Sequence, residues 1–173
     1  MPVSLHTVSV GTFLQILPAV AGLIDKAEAH CRAGDGSDEG LTSACLADDM
    51  WGFAKQITSV VAHSEGAIKG LRAGVFSPDL SVQPTSFADL RSAVTGATAF
   101  LQTVEPAEID GMIGRDMRFE FGERVMPFTA EDFVLTFSLP NFYFHASMAY
   151  GILRNQGVPV GKMDFLGRLR LNK

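Results

Sequence analysis

An all-α four-helix bundle is the fold this sequence predicts, with a short β-hairpin or ordered loop before the last helix. Three observations carry that reading. Four stretches of bundle length repeat apolar residues at three- and four-residue steps. Breaks rich in Gly and Pro separate them. One segment alone, around residues 117–128, alternates apolar and charged residues with the period of a strand. A chain of 173 residues with no internal repeat and no linker suits one domain, 1–173, able to bury a core without staples.

The first helix is expected from about Val10 to Cys31, behind hydroxyl caps at Thr7 to Ser9. Phe13, Leu17, Val20, Ile24 and Ala27 make its apolar face, and Pro18 inside it predicts a kink near Leu14. Residues 33–40 then form a Gly- and Asp-rich loop. A second helix is expected from Asp49 to Arg72, with Asp48 or Asp49 as N-cap and Gly74 as C-cap. His63 falls on or beside its buried face, with Val60 and Ala67.

Ser86 and Asp89 resemble a capping box for the third helix, which Pro106 ends. Residues 117–121 and 124–128, joined by Gly122-Glu123, read as a hairpin. Thr129 with Asp132 restarts the helical pattern, and Pro140 predicts a kink or a break and restart before the stripe continues to Gly157. The Gly-rich tail beyond, with Lys162 and Asp164, is expected to fold back and close a pocket mouth or a dimer interface.

Composition excludes several classes. A net charge of −5 with scattered Lys and Arg disfavours nucleic acid, and the basic end at Arg168, Arg170 and Lys173 reads as a solvated terminus. No uninterrupted apolar run reads as long enough for a bilayer, and the N-terminus lacks the basic region of a signal peptide, so a cytoplasmic chain without membrane contact is expected. Cys31 and Cys45 stand alone, as two reduced thiols with no neighbour to activate them. There is no phosphate-binding GxxxxGK[ST] or GxGxxG.

The stretch from Pro140 to Gly167 is the most distinctive. Leu139 to His145, Ala149 to Arg154 and Gly157 to Gly167, together with Asp49-Met50, Gln56, His63 and Thr85 to Leu90, resemble a bacterial domain-of-unknown-function family. That family lies within the DinB/YfiT-like superfamily, a group of four-helix bundles with metalloenzyme members. The resemblance covers nearly the whole chain. It implies a bundle, commonly a homodimer, and a divalent metal held by three histidines, one on the second helix and two spaced by four on the last. His63 and His145 match two of those positions, and Asn141 stands at the third. An amide oxygen is a poor ligand for zinc or nickel, so a metal is not favoured.

His63, Asn141 and His145 therefore read as a polar pocket, with Tyr143 and Tyr150 able to place hydroxyls near it. Asp49 or Glu65 could supply a missing carboxylate, Glu65 the weaker choice because it lies two residues from His63. Burial should keep both rings neutral at pH 7. Three functions stay open: a degenerate metal-dependent enzyme, a non-catalytic protein binding a small molecule, and a structural dimer.

Overall fold

The computed structural model describes residues 3–34, 36–79 and 84–171. Asp35 of the predicted loop and Lys173 of the basic end lie outside them. Helices α1 (Leu5–Val8), α2 (Val10–Arg32) and α3 (Asp38–Ser43) come first. Next come α4 (Phe53–Val61), a π-helical turn (Ala62–Gly66) and α5 (Ala67–Ala73), read as one rod. Strand β1 (Val75–Phe76), α6 (Phe87–Gln102), α7 (Pro106–Asp110), β2 (Asp116–Phe121) and β3 (Arg124–Thr129) follow. A second composite rod joins α8 (Ala130–Asp132), another π-helical stretch (Phe133–Ser138) and α9 (Leu139–Asn155), and α10 (Lys162–Leu166) closes the chain.

Helix α2 packs on α6 and α9, and α4 packs on the same two helices from the other side. That closed square is the four-helix bundle. Its core is nearly all apolar: Phe13, Leu17, Ile24, Phe53, Ile57, Leu90, Phe133, Phe142 and Leu153 are completely buried or nearly so. Truncating one such Phe to Ala would cost about 3–5 kcal/mol. Several ends follow their sequence signals. The Ser86 hydroxyl accepts from the Asp89 N–H at 3.1 Å and Thr129 from Asp132 at 3.3 Å, while Gly74 ends α5 in the left-handed region.

The hairpin forms, with β2 and β3 antiparallel around Gly122, whose φ of +57° suits the first position of a two-residue turn. It gains a strand the sequence did not announce. Val75 and Phe76 pair in parallel with Arg118 and Phe119, so the sheet order is β1-β2-β3. Phe76, Phe119, Phe128, Phe133 and Phe137 interlock between this sheet and the last rod. The sheet is thus fastened to one end of the bundle.

Three expectations are corrected. Helix α4 starts at Phe53 with Gly52 as N-cap, and residues 48–49 form a turn, because a Cβ at position 52 would lie 2.6 Å from the Ser43 carbonyl oxygen and only Gly fits there. The last rod does not break at Pro140. Its helical ladder widens to π spacing over the preceding turn, which accommodates the missing N–H, and α9 runs on unbroken. Pro18 sits within α2, which continues past it. Finally, Leu5–Arg32 is long and apolar enough to cross a membrane, with an 18-residue window of mean hydropathy 1.7. Half of that window is buried in the bundle, where α2 is a core helix.

Candidate functional site

The two π-helical turns face each other. Ser138, completely buried at the end of the second, donates its hydroxyl to the backbone carbonyl of His63 in the first at 2.9 Å. Such turns open the helical ladder and recur at functional sites. Here they place His63 opposite the start of α9, beside a cavity of about 600 Å³. Phe76, Phe119, Phe121 and Phe137 give it apolar walls, and Trp51, Lys55, Glu65, His63, Asn141 and His145 supply the polar edge.

His145, 5% exposed, is the best-defined polar group in the cavity wall. Its Nδ1 lies 2.7 Å from Oε1 of Gln56, and the Gln56 amide nitrogen donates to the Trp51 carbonyl at 3.0 Å. The carbonyl can only accept, so the amide orientation is fixed and Oε1 faces the ring. Oε1 also only accepts, which makes Nδ1 the protonated nitrogen. Nε2 is left with the lone pair. The ring is sandwiched between Trp51 (centroids 5.6 Å apart, planes 11° from parallel) and His63 (5.8 Å, 16°).

His63 is half-buried between Phe76 and Phe137, and its Nδ1 is sealed from solvent with no hydrogen-bond partner among the described residues. Burial, and secondarily the neighbouring His145, push its pKa down to about 3. Burial, and secondarily the Lys55 charge, lower His145 to about 4. Both rings are neutral at pH 7. Asn141 donates its amide to the Phe137 carbonyl at 2.7 Å, at the junction of π and α spacing.

The structure thus brings His63, Asn141 and His145 to one cavity. Other candidates go elsewhere. Tyr143 is 42% exposed and does not line the cavity, because it lies two residues from both Asn141 and His145 on the helix. Tyr150 packs on Phe165 of α10. Asp49 lies in an exposed turn, and Glu65 reaches the cavity edge already paired with Lys69 at 2.5 Å. The tail does not close the cavity: α10 packs on α2, Asp164 pairs with Lys26 at 2.8 Å, and Arg154 donates to the Val160 carbonyl. Asp164 thus ties the tail to α2, and neither it nor the exposed Lys162 lines the cavity.

Gln56, Trp51 and Lys55 were not among the sequence-derived site residues. Gln56 had a legible signal, since it precedes His63 by two helical turns on the same face. Trp51 had none, because it reaches the ring from a loop.

The donor set does not suit a zinc or nickel ion. Among the described residues no three His, Cys, Asp or Glu side chains converge. Asn141, in the third place, offers only an amide oxygen, a poor ligand for these ions, and a catalytic site of this kind uses three protein ligands.

Fold and site together define a DinB-like helical bundle with a histidine-lined cavity at one end. A solved DinB family member protein from Shewanella denitrificans superposes with a TM-score of 0.81 at 25% identity, covering 98% of this chain and 95% of that one. The chain belongs to the family described as a domain of unknown function, DUF1993, whose model matches residues 5–166. No curated protein matches it.

Proposed function

We propose that the protein binds a small, largely apolar molecule in the cavity without a metal ion. The ligand would carry an O–H or N–H that donates to Nε2 of His145. The observation that carries this reading is the chain Trp51 carbonyl, Gln56 amide, His145 Nδ1–H. It fixes one tautomer of a neutral ring at the edge of an aromatic pocket. A ring kept only for packing gains nothing from a fixed acceptor, whereas a site built around one loses affinity when the ligand's donor is removed. The unpartnered Nδ1 of His63 next to it supports the same reading, since a buried polar atom without a partner costs about 1–3 kcal/mol and is retained against that cost. The same neutral Nε2 is able to take a proton, so a metal-free acid–base reaction is compatible with the site.

The test uses metal-stripped protein and calorimetric titration with 4-ethylphenol and with 4-ethylanisole, its O-methylated analogue. The phenol is expected to bind and the ether to bind at least about tenfold more weakly. Equal affinities would remove His145 as the recognition group.

A further inference from the structure

Lys55 stands at the edge of the histidine cavity and also lines a neighbouring cavity of about 550 Å³. Its ammonium lies over the Trp51 ring, 5.3 Å from the centroid, on the indole that stacks on His145. Among the described residues no carboxylate is within ion-pair distance of it. The other lysine at this cavity, Lys69, is neutralised by Glu65. Asp38 and Glu39 also line the neighbouring cavity and make no ion pair with Lys55. Asp79, also on the wall of the main cavity, makes interactions of its own. Lys55 thus reaches a largely apolar pocket with no carboxylate of the described residues at ion-pair distance, whereas the Lys69 charge there is matched by Glu65.

We propose that Lys55 is the specificity-determining residue of this pocket and that its ligand is an amphipathic carboxylate. The inference rests on the cavity being a ligand site, as argued above. The apolar body would lie among Phe76, Phe119 and Phe137, with the carboxylate held at the ammonium. A charged partner is favoured here because the apolar wall weakens solvent screening, and a charge-assisted hydrogen bond is stronger than a neutral one. The Lys55 charge also reaches the site, since it contributes to holding His145 neutral. An anion bound at Lys55 would offset that charge, which no uncharged ligand does.

The experiment compares 3-(4-hydroxyphenyl)propanoate with 3-(4-hydroxyphenyl)propanamide by calorimetry at neutral pH. Both carry the same phenol for His145 and differ only in the charge of the other end. The carboxylate is expected to bind about tenfold tighter than the amide. In Lys55→Met, which keeps the apolar stem, that preference should vanish while 4-ethylphenol still binds. Equal affinities in the unsubstituted protein, or a preference that survives Lys55→Met, would overturn the assignment of Lys55 and leave the pocket standing. Failure of all three probes to bind the unsubstituted protein would overturn both the pocket and this assignment.

Discussion

Gln56 holds His145 in a single tautomer: its Oε1 accepts a hydrogen bond from Nδ1–H, N···O 2.7 Å, and its own amide nitrogen donates to the Trp51 carbonyl. The contact joins α4 to α9 across the bundle, so it is both a tie between helices and the setting of the site's acceptor. Replacing Gln56 by Glu puts a carboxylate in the same place. A nearby negative charge favours the imidazolium, so the His145 pKa should rise from about 4 in Gln56→Glu. A proton NMR titration of the ring follows it directly. An unchanged pKa would mean that Gln56 and His145 are not in contact in solution.

Stability should fall with pH in a window that belongs to the histidines. Their folded pKa values of about 3 and about 4 lie below the ordinary 6.5. As pH falls the unfolded chain takes up these protons first, so their contribution is complete above about pH 6.5 and is lost as pH drops toward the folded values. Most carboxylates titrate lower, which leaves the range from about pH 6.5 to about pH 5 to the histidines. The urea midpoint is expected to decline through that range, and His63→Leu should flatten the decline. His63→Leu should also raise stability at neutral pH by about 1–3 kcal/mol, because it removes the orphaned Nδ1. A variant that is less stable with an unchanged pH profile would show that His63 has a partner in solution.

Metal content is expected to be low. Protein prepared without a histidine tag or a chelator should carry zinc and nickel well below one equivalent, since two imidazoles and one weakly coordinating amide oxygen make an incomplete site. Elemental analysis finding one equivalent, lost in His145→Ala, would restore a metal-dependent enzyme.

We propose that the chain pairs with a second copy of itself. The support is apolar surface left on the outer side of the last rod, where Leu135, Tyr143 and Phe144 are all exposed. Sedimentation equilibrium should give a dimer at micromolar concentration, weakened by Phe144→Glu. A monomer at that concentration would remove the proposal.

Much of the bundle was legible because helical periodicity and caps are local. The stripe through Phe13, Leu17 and Ile24, the Ser86–Asp89 and Thr129–Asp132 caps and the hairpin at Gly122 all follow from neighbouring residues. What escaped depends on distant contacts. Gly52 is required by the Ser43 carbonyl, and β1 exists because Phe76 pairs beside Phe119, 43 residues on. The π-helical turns have no period of their own in a sequence, and only the second leaves a trace, a helix that passes Pro140. At the site, spacing placed Asn141 and His145 on one face and His63 on another helix. The same spacing sets Tyr143 off that face, whereas the tail-facing position of Tyr150 depends on its packing against Phe165.

The state of the His145 ring separates a ligand site from a histidine that only packs. Nitrogen-15 NMR of histidine-labelled, metal-stripped protein at neutral pH reads it directly, because protonated and lone-pair nitrogens of an imidazole resonate far apart. His145 is expected as a neutral ring with the proton on Nδ1, and its Nε2 signal should move upfield when 4-ethylphenol donates to it. An imidazolium, a proton on Nε2, or an Nε2 signal indifferent to the phenol would contradict the reading of this cavity as a ligand site built on His145.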